Sequence, residues 1–233
     1  MKPFLPRVSA ILLISLTALH AQQEERQKIT EEDKQVFRNF KEGLEKKVAH
    51  QEAKAVQTQA VSNLRQIGLA FFEFETEYGF FPNAETAMTV KQATDFKGDL
   101  KSETANDCFF QLIVAGIAQN RAMFQYGKPE EPGAAAAKPA ADRLEKCSYA
   151  YLPARDSAGH PGRPLVVAPL IKGTNLFDPK PFAGKAVVLR RDNSVSSVPI
   201  DEEGRAIIDG RDLFDPGQPY WKGEEPSVKW PAE

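Results

Sequence analysis

The sequence is poor in the residue types that most often carry chemistry. It has two cysteines and three histidines among 233 residues. Neither His50 nor His160 has a cysteine or a second histidine at the spacing of a metal site. No serine lies in a Gly-x-Ser-x-Gly turn, and neither glycine pattern of nucleotide-binding loops occurs. We therefore expect a non-catalytic protein without a bound cofactor.

Neither sign of charge dominates the chain. There are 30 lysines and arginines against 32 aspartates and glutamates, which gives a formal net charge of -2. Nucleic-acid binding calls for a concentrated basic surface that neutralises backbone phosphates. The composition therefore predicts that nucleic acid is not a partner.

The sequence also lacks an apolar run of the roughly 20 residues that a membrane-spanning helix needs. Lys2 and Arg7 precede a shorter apolar run at 8–19, and Ala21 then precedes a polar segment. This order predicts a secretory signal peptide over residues 1–21. A membrane anchor that stays attached is the alternative, and the short run disfavours it. We expect an exported protein, periplasmic or extracellular, with no transmembrane span in the mature chain.

Proline is absent between residues 30 and 81, although the chain contains 17 prolines. Thr30 with Asp33 suits a helix start, and Tyr78-Gly79 suits a helix end. Between them apolar residues recur at steps of three and four on either side of an alanine-rich middle, which is the period of one helix face. They are Phe37, Phe40, Leu44, Val48, Val56, Ala60, Leu64, Ile67, Phe71, Phe74 and Tyr78. The pattern predicts one long helix, with two shorter helices broken near Gly43 as the alternative.

Such a helix is longer than a small domain is wide. We therefore predict an exposed helical extension at 22–54, while the later part of the helix packs on a globular domain at 55–233. The apolar positions of the extension predict a surface for a partner helix or for self-association, as in a coiled coil. These positions are Phe37, Phe40, Leu44 and Val48. The alternative is that they cover the protein's own core.

The rest of the chain predicts an α+β domain with a small antiparallel sheet. A second helix, capped by Asn106 or Asp107, is apolar nearly all round and should be buried. Short apolar segments follow, and Asp192-Asn193-Ser194 predicts the turn of a hairpin between two of them. The segment 128–141 is rich in proline, alanine and glutamate, which is typical of a flexible insertion.

Cys108 and Cys147 are the only cysteines. In an exported protein an even pair predicts a disulfide bond. Two free buried thiols are the alternative.

The segment 63–70, continued by Tyr78-Gly79-Phe80-Phe81-Pro82, resembles the helix end of type II secretion pseudopilins, including relatives of the Planctomycetes and Verrucomicrobia type. The run 185–195 resembles their hairpin, with Asn193 and Ser194 where those proteins usually have glycine. The resemblance implies a long helix packed on an antiparallel sheet and a role in a secretion assembly.

The chain departs from the pseudopilin pattern at its start. It has no prepilin leader motif, and residues 22–34 are charged where a pseudopilin has an apolar anchor. This segment carries Glu24, Glu25, Glu31, Glu32 and Asp33 against Arg26, Lys28 and Lys34. Charges of this kind are costly in a bilayer core. The resemblance therefore supports the fold more directly than assembly by the usual route.

The resemblance also raises the question of calcium, because major pseudopilins bind it in a C-terminal loop. The corresponding acidic residues here are Asp201, Glu202, Glu203, Asp209, Asp212 and Asp215. Their spacing does not match an EF-hand, and solvated turn carboxylates are the simpler interpretation.

Together these features predict an exported structural or interaction protein. It would be a pseudopilin-like subunit, or an accessory, of a type II secretion or related envelope assembly. The alternative is a soluble periplasmic binding module of the same fold that recognises a small ligand or polymer.

Overall fold

The structure, a computed structural model, describes residues 8–127 and 142–232, with side chains from Thr30 onward. The described residues contain helices α1 (Val8–Tyr78), α2 (Ala84–Ala93) and α3 (Ala105–Val114) and a 3-10 turn at Arg121–Phe124. Their strands are β1 (Ala150–Tyr151), β2 (Pro164–Ala168), β3 (Lys185–Arg190), β4 (Val195–Pro199), β5 (Ile207–Ile208) and β6 (Arg211–Asp212). The chain divides into two compact units, Met1–Gln51 and Glu52–Glu233.

Two predicted segments lie wholly or partly outside this description. The insertion predicted at 128–141 is outside the described residues. Of the predicted signal peptide at 1–21, only the helical backbone from Val8 is described.

The long helix α1 ends where the sequence predicts. Its last residue is Tyr78, and Gly79 follows with a φ of 82°, a value that glycine adopts without steric cost. The helix passes Gly43 without a break, so the alternative of two shorter helices is wrong. It also extends N-terminal to the predicted start at Thr30, because the preceding polar segment contains no proline or glycine to end it.

The two shorter helices begin with side-chain caps. Asn83 caps α2 by accepting hydrogen bonds from the backbone amides of Glu85 and Thr86. Thr104 caps α3, and Asp107 completes the capping box three residues later. The cap of this helix therefore lies two or three residues earlier than the cap predicted at Asn106 or Asp107. The prediction that this second helix is short and buried is confirmed.

Strands β1 to β4 form one antiparallel sheet in the order β1-β2-β3-β4, and β5 pairs with β6 in a separate ribbon. The predicted hairpin is the β3–β4 pair, in which Leu189 lies opposite Val195. Asn193 takes a φ of 63° in its turn, a conformation that asparagine tolerates better than most residues. The α+β architecture, with a long helix and a small antiparallel sheet, is confirmed.

The sheet has a hydrophobic core on each face. Along β3, Val187 and Leu189 belong to one core, while Ala186 and Val188 belong to the other. This alternation is the two-residue period of a strand whose two faces are both buried.

The first core joins the sheet to the later part of α1 and to α3. Phe71 of α1 lies 5.4 Å from Tyr151 of β1 and 6.0 Å from Phe109 of α3, measured between ring centroids. The second core includes Phe177, from the segment between β2 and β3, and four residues that follow the sheet in sequence: Leu213, Phe214, Tyr220 and Trp221. The indole of Trp221 donates a 2.7 Å hydrogen bond to the carbonyl of Leu213.

Helix α1 and the β3–β4 hairpin meet at Gly68. A methyl group at this position would overlap the side-chain oxygen of Asn193 and lie 2.9 Å from Leu189 Cδ1. The absence of a side chain at Gly68 therefore allows the hairpin turn to lie against the helix. The two segments that carry the pseudopilin resemblance, 63–70 and 185–195, touch at this point.

We expect Gly68→Ala to lower the free energy of unfolding by about 1–3 kcal/mol, because the added methyl overpacks this contact. Urea unfolding followed by circular dichroism measures the change. Adding Asn193→Gly should recover most of the loss, since glycine removes the overlapping side chain and suits the positive φ. The matched control is Gly43→Ala, where nothing lies within 4 Å of the added methyl. Equal destabilisation by both alanine substitutions would show that the Gly68–Asn193 contact is not the cause.

Candidate interaction surface

The strongest candidate for an interaction surface is an exposed apolar stripe on the early part of α1. We define it as Val36, Phe37, Phe40, Leu44 and Val48, whose exposures range from 50% to 67%. All of it lies in the unit Met1–Gln51. Each of the predicted partner-surface residues Phe37, Phe40, Leu44 and Val48 is at least half exposed.

The stripe occupies one face of the helix. A helix turns by about 100° per residue, so positions three, four and seven apart lie nearly above one another. Asp33 and Lys47 fall on this same face, one at each end of the stripe. The sequence reasoning missed Val36 and these two charges. Projecting the sequence onto a helix at about 100° per residue would have shown that they share a face with the apolar repeat.

Polar contacts occupy the other faces of this part of α1. Lys34 Nζ lies 2.8 Å from Glu31 Oε1, and Lys41 Nζ lies 3.8 Å from Glu45 Oε1. Pairs three or four residues apart stabilise an exposed helix only slightly. Their effect here is to leave one apolar face between solvated polar faces. That arrangement is typical of a helix that docks on another helix.

Exposed apolar residues elsewhere are spread among different elements. In the unit Glu52–Glu233 they are Leu69, Met88, Ile171 and Leu176, which belong to α1, α2 and a loop. Single exposed apolar side chains are ordinary on a protein surface, whereas a continuous row marks an interaction surface. The stripe is therefore the better candidate.

The structure does not contain the predicted disulfide, because Cys108 and Cys147 are both free thiols. Each sulfur has its own contact: Cys108 Sγ lies 3.8 Å from the carbonyl oxygen of Ser102, and Cys147 Sγ lies 3.4 Å from that of Tyr149. Burial raises the pKa of both thiols to about 12. A thiol must ionise to act as a nucleophile, so this environment makes both cysteines unreactive near neutral pH.

Three of the six acidic residues considered for calcium act as turn caps. Asp201 accepts hydrogen bonds from the backbone amides of Glu203 and Arg205 and pairs with the Arg205 guanidinium at 2.8 Å. Asp212 and Asp215 accept from the amides of Phe214 and Gly217. Within the described residues, no group of three or more His, Cys, Asp or Glu side chains could hold a metal ion.

A cleft of about 560 Å³ lies between α3 and the segment 142–145. The polar residues that α3 contributes already have partners. The Asn106 amide donates to the Leu144 carbonyl at 2.8 Å and accepts from the Ala232 amide at 2.8 Å, while Asp107 takes part in the capping box of α3. These two side chains are therefore engaged in holding the fold and are not free to orient a ligand.

We compared the chain with known proteins and found no relative. No protein-family model, curated protein or solved structure matches the chain. In the part of the chain that the structure describes, no helix is both long and apolar enough to cross a membrane.

Proposed function

We propose that this protein is an exported, non-catalytic interaction protein that associates through the apolar stripe of α1. Within that class it acts as a pseudopilin-like subunit, or an accessory, of a type II secretion or related envelope assembly. The observation that carries the proposal is the row of five exposed apolar side chains between Val36 and Val48. A surface of this kind gains free energy when a partner covers it.

Two further features support the proposal. The order of elements, a long helix followed by a small antiparallel sheet, is the one that the pseudopilin resemblance implies. The apolar run at 8–19 after Lys2 and Arg7 supports export. Because residues 22–34 are charged, we place the contact with the assembly on the stripe and not on a membrane-embedded segment.

The alternative, a periplasmic binding module, receives less support. The cleft beside α3 would be its binding site. Its central amide, that of Asn106, is already hydrogen-bonded at both ends.

The proposal is tested by placing a photo-crosslinking amino acid at Phe40 and, as a matched control, at Glu42. Glu42 lies roughly on the opposite side of the same helix, since two residues correspond to about 200° of rotation. Irradiation is carried out on cells, and the chain is recovered from the envelope fraction, where we expect it to begin at Gln22. Crosslinks to protein should be several-fold stronger from position 40 than from position 42.

Either of two results would overturn the proposal. Equal crosslinking from both positions would show that the stripe makes no specific contact. Recovery of the chain from the cytoplasmic fraction alone would contradict export.

A further inference from the structure

We propose that the partner of the stripe is a second copy of this chain, bound antiparallel about a two-fold axis at Phe40. This inference rests on the proposed function, since it uses the same surface and names its occupant. In such a pair Phe40 faces Phe40 and Val36 of each copy faces Leu44 of the other, and the contact is closed because both copies contribute the same residues.

The charges at the ends of the stripe favour this arrangement. Asp33 lies seven residues before Phe40 and Lys47 lies seven residues after it, on the same helix face. At about 1.5 Å per residue, each charge is about 10 Å from the centre along the helix axis. Reversing one helix about Phe40 therefore brings each Asp33 opposite the Lys47 of the other copy.

A parallel pair in register would instead bring like charges face to face. It would place Asp33 opposite Asp33 and Lys47 opposite Lys47, at positions flanking an apolar seam. Like charges facing each other in a helix pair are unfavourable and are a common means of excluding the wrong orientation. The same two residues therefore support one orientation and oppose the other.

The side chains that immediately precede Asp33 and Lys47 carry charges of the same sign as these two residues. The early end of the stripe has the acidic run Glu31, Glu32 and Asp33, while the late end has Lys46 and Lys47. Glu31 is paired with Lys34. Among the side chains that the structure describes, Glu32, Asp33, Lys46 and Lys47 form no ion pair with one another or with other residues. These charges are therefore available to a second copy, and salt should weaken their contribution.

Phe40, the third of the five stripe residues, suits a two-fold axis. Phe40, 66% exposed, would meet its own copy there. Aromatic rings pack well in offset or edge-to-face pairs, and these also bury a large apolar area. Val36 and Leu44 lie four residues on either side of Phe40 and would face each other across the axis.

Orientation is tested by cysteine crosslinking in the full-length chain carrying Cys108→Ala and Cys147→Ala. One population carries Asp33→Cys and the other carries Lys47→Cys. With a short bismaleimide, the mixture should give a dimer several-fold more readily than either population alone. Crosslinking that is stronger within each single population than in the mixture would show a parallel pair and overturn the antiparallel arrangement.

A second measurement keeps the native cysteines. Lys47→Glu should raise the dimer dissociation constant about tenfold, because each dimer contains the altered contact twice. Adding Asp33→Lys to the same chain should restore association. Sedimentation velocity from about 5 to 200 µM covers the range of weak helix contacts. A chain that stays monomeric throughout would overturn self-association, while crosslinks from Phe40 to a different protein would leave the proposed function intact.

Discussion

Replacing Ile67 with aspartate should unfold the unit Glu52–Glu233. Ile67 is fully buried in the core between α1 and the sheet. The substitution removes an apolar side chain worth about 1.5–3 kcal/mol and places a carboxylate where no described side chain offers a counter-charge. Burying an unpaired charge adds several kcal/mol more. The sum is comparable with the 5–15 kcal/mol that stabilises an ordinary domain, so a cooperative unfolding transition should be lost. Leu64→Asp, at another fully buried position on the same face, should behave in the same way.

The matched control for this prediction is two residues away on the same helix. Leu69 is 62% exposed, so Leu69→Asp should change the unfolding free energy by no more than about 0.5 kcal/mol. Near-ultraviolet circular dichroism and urea unfolding distinguish the two variants. A well-folded Ile67→Asp protein, or equal losses at both positions, would show that the buried face of α1 has been assigned incorrectly.

Raising the pH from about 8.5 to about 10 should lower the free energy of unfolding by about 2–4 kcal/mol. Burial raises the pKa of the Cys108 and Cys147 thiols to about 12 in the folded protein, whereas a thiol in an unfolded chain ionises near pH 8.5. The folded state therefore holds protons that the unfolded state has released. The stability that these thiols contribute is complete below pH 8.5 and is lost as the pH rises toward 12.

Urea unfolding at a series of pH values measures this loss, with Cys108→Ala/Cys147→Ala as the control. The double variant should lose less stability over this range, and the difference between the two profiles gives the contribution of the thiols. The remaining loss comes from buried tyrosines such as Tyr220, whose pKa is raised to about 12 by burial, because tyrosines in the unfolded chain begin to ionise as the pH approaches about 10. A wild-type profile that is flat without reductant and falls when reductant is added would show that the thiols are joined in a disulfide, contrary to the structure.

The local features of the fold were predictable because each depends on a few neighbouring residues. Tyr78-Gly79 ends α1 as expected, since the glycine accepts a positive φ. Asp192-Asn193-Ser194 forms the hairpin turn. The stripe was also visible as a three-and-four repeat, and its exposure follows from the length of the helix.

Features that depend on distant parts of the chain were not predictable in the same way. Cys108 and Cys147 form an even pair, but only the folded arrangement decides whether two sulfurs meet. Asn193 and Gly68 are far apart in sequence, and a single glycine within a helix does not predict a close contact with another segment. The second core was missed because the segment containing Trp221 has little regular structure, so periodicity gives no signal there.

The covering of the sheet has a consequence for the order in which the protein folds. Strand β1 exchanges backbone hydrogen bonds with Lys229 at its outer edge, through Tyr151, at 3.0 Å and 2.8 Å. Trp221 and its neighbours close the second face of the sheet. During synthesis, or during threading across a membrane, the strands therefore emerge well before the residues that protect them. Contacts between residues this far apart in sequence form slowly, and the strand edges stay exposed until they form. An exported form would need to be held unfolded until nearly its whole length had been delivered.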